Sequence, residues 1–147
     1  MSYRLYVFIR SDLESMTVGK ACAQVAHAAS QAAQHLKDSP DYRDWQFEDR
    51  ETQIFPFDML HFGTTIVLDG GSFTDGGTDE IPSYLKILGG KFVNHGEVTD
   101  PTYPIRDGKK THLIPLRTCY WWFVDPDADE TARQYLDQFK LYNGNHD

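Results

Sequence analysis

Positive charge is what this 147-residue chain is short of: Lys and Arg number 14 against 22 Asp and Glu, a formal net charge of −8 with a pI near 5.1. Affinity for nucleic acid comes largely from cations that neutralise phosphates, so an acidic body meets a phosphate-rich partner across a repulsive background. A uniformly basic nucleic-acid surface is excluded, and what remains open is a local basic patch. Cysteine is equally scarce, with 2 residues, Cys22 and Cys119, both in apolar segments. That excludes a disulfide framework and reads as two buried thiols in a reducing setting. Neither has a Cys-x-x-Cys partner, and His27, His35, His61, His95 and His112 fall at no short ligand spacing, so no metal site is expected. No apolar run approaches the length of a membrane span, and Met1-Ser2-Tyr3-Arg4 leads directly into a strand pattern without the regions of a signal peptide. The expectation is a soluble, cytoplasmic protein with no membrane contact. The glycines of Asp69 to Gly77 lack the strand-to-helix context and the Lys-Ser/Thr pair of a phosphate loop, and read as a linker. No internal repeat is present, and the one polar tail is Asn143 to Asp147.

What is present is an alternation of strands and helices. Tyr3 to Ile9 reads as a strand with both faces apolar, which predicts a central position in a sheet. Thr17 to Leu36 reads as a long helix ended before Pro40, and Thr65 to Leu68 as a second strand. Ile81 to Leu88, with Pro82 in the first turn and Gly89-Gly90 after it, predicts a short helix. Phe92 to Val98 and Leu113 to Val124 give two more strands, and Asp129 to Phe139 a last helix capped by Asp127 or Asp129. This order predicts a three-layer α/β/α single domain over residues 1–147, around a mixed, mostly parallel four-stranded sheet. Aromatic residues make up 14% of the chain and gather in two places. Tyr120, Trp121, Trp122 and Phe123 read as a buried strand, whereas Trp45, Phe47, Phe55, Phe57 and Phe62 would cap the core, form a subunit interface or contact a ligand.

The densest polar chemistry lies in Gly19 to Ala29. On a helical wheel Val18, Cys22, Val25, Ala29, Ala33 and Leu36 form one stripe, with Lys20, Gln24, His27 and Gln31 on the face roughly opposite. Frequent alanine lets the helix approach its neighbour closely and favours the helix itself. Lys20, in the first turns, would join the helix N-terminus in attracting a phosphate or carboxylate. His27 brings an imidazole, whose ordinary titration suits proton transfer near neutrality. The plain alternative for all four is a solvated polar side. Asp12 and Asp100 end strands, where α/β proteins place ligands, although Asp12 fits a turn or cap equally well. Arg106-Asp107-Gly108-Lys109-Lys110 carries a turn signal, so an exposed hairpin tip is the plain alternative for its cations.

Arg10-Ser-Asp-Leu-Glu-Ser-Met-Thr-Val-Gly-Lys-Ala-Cys-Ala-Gln-Val-Ala-His-Ala-Ala29, with its Gly-Lys, Ala-Gln and His-Ala pairs at fixed spacing, resembles the opening strand and first helix of the peptidyl-tRNA hydrolases of the archaeal and eukaryotic type. Further pieces follow in the family's order. Thr64 to Leu68 resembles its second strand, and Val93 to Asp100 the strand ending in its aspartate. Thr111-His-Leu-Ile-Pro115 resembles its Thr-Gln-Ile-x-Pro segment, and Leu136 to Tyr142 its C-terminal region. There are departures. Where the family turns from aspartate to threonine through a short Ala-Gly-x link, Pro101 to Lys110 intervenes here, read as an insertion at 101–110. His112 stands for the usual glutamine, and Leu116 and Arg117 for a Gly-Ser/Thr turn. A second insertion is read at 38–62.

The resemblance implies hydrolysis of the ester joining a peptide, or an N-blocked amino acid, to tRNA, with peptidyl-tRNA as partner, no cofactor and a possible homodimer. It implies catalytic roles for Lys20, His27, Asp100 and Thr111, and substrate contacts from Gln24, Arg106, Lys109, Lys110 and Arg117. Lys20 and the last four would then lie near one another as a basic patch on an acidic body. The alternative is a scaffold that has kept the fold and lost catalysis, serving as a binding or regulatory module.

Overall fold

The computed structural model describes residues 3–47, 63–73, 81 and 94–144. Among these residues one four-stranded sheet is built from β1 (Arg4–Arg10), β2 (Thr65–Gly71), β3 (His95–Asp107) and β4 (Lys110–Val124), in the order β2-β1-β4-β3. Helices α1 (Val18–Leu36) and α2 (Pro40–Gln46) follow β1, and α3 (Glu130–Leu136) follows β4. Of the expected helix at 81–88, residues beyond Ile81 lie outside the described residues, as do Phe55, Phe57 and Phe62.

β1 is internal, as its two apolar faces require. Leu5, Val7 and Ile9 join a core cluster with Ala21, Ala28 and Ala32 of α1, Tyr42 and Trp45 of α2, and Cys119, Trp121 and Phe123 of β4. Tyr6 and Phe8 point the other way, into a second cluster with Tyr120, Trp122, Val124 and Ala132, Tyr135 and Leu136 of α3. The α/β layering therefore holds, with helices on both faces. The aromatic run of β4 is a buried strand, as its composition predicts.

The sheet is mixed, but it is not mostly parallel. β1 and β2 are parallel, whereas β1 with β4 and β3 with β4 are antiparallel. For β3 with β4 the cause is the segment read as an insertion at 101–110. It is no separate loop: residues 101–107 continue β3, Gly108 and Lys109 form the two-residue tip, and the chain returns at once as β4. A direct hairpin can join only antiparallel strands. Gly108 takes φ +60, the first-position glycine of a type II′ turn, whose twist suits a hairpin.

α1 begins where Thr17 caps it by accepting a hydrogen bond from the Lys20 amide at 3.4 Å. Its buried stripe is Ala21, Gln24, Ala28, Ala32 and Leu36, rotated from the expected apolar stripe. Alanine at three of these positions brings the helix close to the sheet, and Gln24 is tolerated inside because both ends of its amide are bonded. Val18, 55% exposed, and Cys22 face away from the core, so one of the two cysteines expected to be buried is exposed. Cys119 is fully buried, and that burial pushes its thiol pKa up to about 12. α2 was not legible as an element. Ser39 caps it, Pro40 occupies its first turn, and Tyr42 and Trp45 pack on Phe123. Among the described residues no helix is long and apolar enough to cross a membrane.

Candidate active site

Two irregularities in the β3/β4 ladder make the site. Val98 pairs with Cys119 but Thr99 with Arg117, so Thr118 is an extra residue on β4; Asp100 pairs with Leu116 but Tyr103 with Ile114, so Pro101 and Thr102 together oppose Pro115. A bulge places consecutive side chains off the strict alternation. Thr118 and Cys119 accordingly both reach α1: the threonine hydroxyl donates to Gln24 Oε1 at 2.7 Å and the thiol to the Gln24 backbone carbonyl at 3.7 Å. Pro101 is accommodated at the second bulge, where no ladder donor is needed.

Asp100 is the focus. Gln24 Nε2 donates to its Oδ2 at 2.7 Å, and the Thr102 amide to its Oδ1 at 2.9 Å, with the Thr102 hydroxyl at 3.5 Å. A carboxylate only accepts, so the Gln24 NH2 must face Asp100, which leaves the amide oxygen for the Thr118 hydroxyl. The Thr118–Gln24–Asp100 chain is therefore directional, and all three residues are buried. Burial alone would raise the Asp100 pKa, but the hydrogen bonds from Gln24 and Thr102 and the nearby His27 outweigh it and hold the carboxyl below its usual range.

His27, one turn after Gln24 and about half exposed, places Nε2 3.8 Å from Asp100 Oδ2. That is an ion-pair distance when the imidazole is protonated, and too long for a direct hydrogen bond. Between them opens a pocket of about 360 Å³, lined by His27, Gln31, Thr99, Asp100 and Thr102 with Val98 and Pro101. Gln31 is fixed by the Trp121 indole, whose Nε1 donates to Oε1 at 2.6 Å. The pocket thus joins a charged carboxylate, an accessible imidazole and two threonine hydroxyls.

Lys20 lies one turn before Gln24. Its Nζ donates to the Pro104 carbonyl at 3.2 Å and sits 5.3 Å from the centre of the Tyr103 ring. Tyr103 is fully buried, with its hydroxyl 3.1 Å from Ser15 Oγ.

The remaining expected residues are elsewhere. Thr111 is exposed near the hairpin tip opposite Arg106, five residues along β4 from the partner of Asp100, which at strand rise is roughly 16 Å. The continuous hairpin, in place of a short turn, is what carries it away. Arg106, Lys109 and Lys110 are exposed at the same tip. Arg117 belongs to the other face: its guanidinium lies 5.9 Å from the Tyr120 ring centre, in the second core cluster, and its carbonyl accepts from Arg10 at 2.9 Å. The expected patch of five cations is therefore split, with Lys20 on the Pro104 carbonyl and outside the pocket lining, three cations at the tip and Arg117 behind the sheet. Asp12 is a structural clip: Arg10 grips both its oxygens at 2.7 and 2.8 Å, and the Phe73 amide and Ser72 hydroxyl also donate to it.

Thr118 and Thr102 escaped the sequence reading. Thr118 could have been flagged as the hydroxyl that opens an otherwise apolar strand run, but its inward direction depends on a bulge that no periodicity reveals. The model of the family described as peptidyl-tRNA hydrolase PTH2 matches residues 3–56. The match includes β1, α1 and α2 with Lys20, Gln24 and His27, and it runs through most of the segment read as an insertion at 38–62; Asp100 and the hairpin lie beyond it. No curated protein matches the chain.

Proposed function

We propose, on the premise of that match over residues 3–56, that the protein hydrolyses the ester between a peptide, or an N-blocked amino acid, and the terminal ribose of tRNA. The observation that carries the reading is the convergence of Gln24 and His27, from the matched segment, on an ionised Asp100 supplied by β3 at one open pocket. Hydrolysis adds water to the ester carbonyl, breaks the carbonyl–ribose oxygen bond, and returns a proton to the departing ribose oxygen. Asp100, kept anionic, orients the water and stabilises positive charge on His27. His27 accepts the proton of the attacking water. Lys20 holds a substrate phosphate or offsets negative charge as the carbonyl becomes tetrahedral. Gln24 acts through Asp100, and Thr102, at the pocket wall, takes the orienting role expected of Thr111.

A binding module is the second reading, and one observation favours it: Lys20 already donates to the Pro104 carbonyl, so phosphate must displace a protein contact. Turnover decides. Purified protein given radiolabelled N-acetyl-aminoacyl-tRNA should release free tRNA, and Lys20→Ala and Asp100→Ala should each lower kcat/KM by about 10²-fold or more with an unchanged circular dichroism spectrum. Full activity in either variant sinks its assignment, and an inactive, folded wild type supports the module.

A further inference from the structure

We propose that the outer half of the β3/β4 hairpin is a basic arm that grips the phosphate backbone of the RNA beyond the acylated 3′ end, making the site selective for long, structured esters over short ones; this rests on the hydrolase reading above. β1 and β2 are 7 residues long, β3 13 and β4 15, and the β1 pairing with β4 stops at Ile9 with Cys119. Beyond that point, among the described residues, the hairpin runs on as a two-stranded ribbon.

Its base is pinned and its tip is exposed. Tyr103 is fully buried against Met16 and Ser15, and the Pro104 carbonyl holds Lys20. Arg106 to Leu113 are all exposed. Between Pro101 and Leu116 the charged residues are Arg106, Lys109 and Lys110 against Asp107, a positive balance within a chain of net charge −8. Lys110 pairs with Asp107 on the ribbon face shared with Tyr103, whereas Arg106 pairs with Thr111 on the other, so cations flank both sides of the tip. Opposed faces suit the two phosphate walls of a groove, and the deep groove of an RNA duplex admits backbone contact without base readout.

Reach supplies the selectivity. Asp107 lies seven positions along β3 from Asp100, one of them taken up by the bulge, which at strand rise is about 20 Å and well beyond the size of a nucleoside. An ester on a nucleoside ends before the tip, and one on a stem–loop continues to it.

The test compares N-acetyl-aminoacyl esters of adenosine, a single-stranded trinucleotide, a stem minihelix and whole tRNA, with wild type and the Arg106→Ala/Lys109→Ala/Lys110→Ala variant. Wild type should gain at least about tenfold in kcat/KM, chiefly through KM, once the RNA reaches the tip. The variant should lose most of that gain, and its plot of log kcat/KM against log salt on tRNA should flatten by about 2 units of slope. A variant that keeps the length preference and salt slope overturns the arm. If wild type hydrolyses no ester, the hydrolase reading has failed separately, and binding of uncharged minihelix decides: weaker binding by the variant supports the arm, and equal binding overturns it.

Discussion

Gln24 shows what a single buried amide can organise. It is 2% exposed, ties Thr118 of β4 to Asp100 of β3, and sits on a helix stripe otherwise made of alanine and leucine. Gln24→Ala leaves a buried carboxylate and a buried hydroxyl without their partner, which should cost about 2–3 kcal/mol in chemical denaturation. It also removes one of the hydrogen bonds that hold the Asp100 pKa down against burial, so the Asp100 carboxyl should titrate at higher pH. The acid limb of kcat/KM should move upward with it. Thr118→Val, which removes only the hydroxyl, should leave most of that limb in place because Asp100 keeps both donors, whereas an unmoved limb in Gln24→Ala would remove Gln24 from the control of Asp100.

Among the elements, the bulged hairpin decides both the topology and the site. β1, the central strand, α1 and the buried aromatic strand were legible because each carries a period or composition that burial alone explains. The antiparallel β3/β4 pair was not, because Pro101 and the 101–110 segment read as a break in a family pattern, while physically Pro101 rests in a bulge and the strand continues. Lys20, Gln24 and His27 were legible as one polar helix face from their spacing, and as candidate site residues through resemblance. Their partner Asp100 was reachable through resemblance, and Thr102 and Thr118 were hidden because their directions come from register shifts. The same ladder holds a tight approach: Gly96 faces Trp121, and a Cβ there would lie 2.4 Å from the indole nitrogen. That nitrogen is the donor to Gln31 at the pocket wall. Gly96→Ala must therefore displace Trp121, a fully buried residue, and should lower stability by about 1–3 kcal/mol while loosening Gln31. Equal melting temperatures for the variant and wild type would show that the indole has room to give.

For the whole molecule, two opposing electrostatic effects set the response to acid. At pH 7 the net charge of −8 repels itself, and protonation toward the pI near 5.1 relieves this, so stability should first rise slightly on acidification. Asp100 and Asp12 then act in the opposite sense. For Asp12, as for Asp100, burial alone would raise the pKa, and the Arg10 ion pair outweighs it, so both carboxyls lie below their ordinary value of 3.8 in the folded protein. A folded pKa below the unfolded one means stabilisation that is complete above the unfolded value and lost as pH falls through the folded one. Melting temperature should pass through a maximum at mildly acid pH and fall steeply below about 3.8. Asp12→Asn weakens the clip that joins Arg10 to the Ser72 hydroxyl and the Phe73 amide, so it should melt below wild type at pH 7, with the gap closing as pH drops toward 3. Melting curves of both proteins from pH 7 to 3 check this, and a gap constant across that range would mean that Asp12 stabilises the sheet end through its hydrogen-bonding shape and not through its charge.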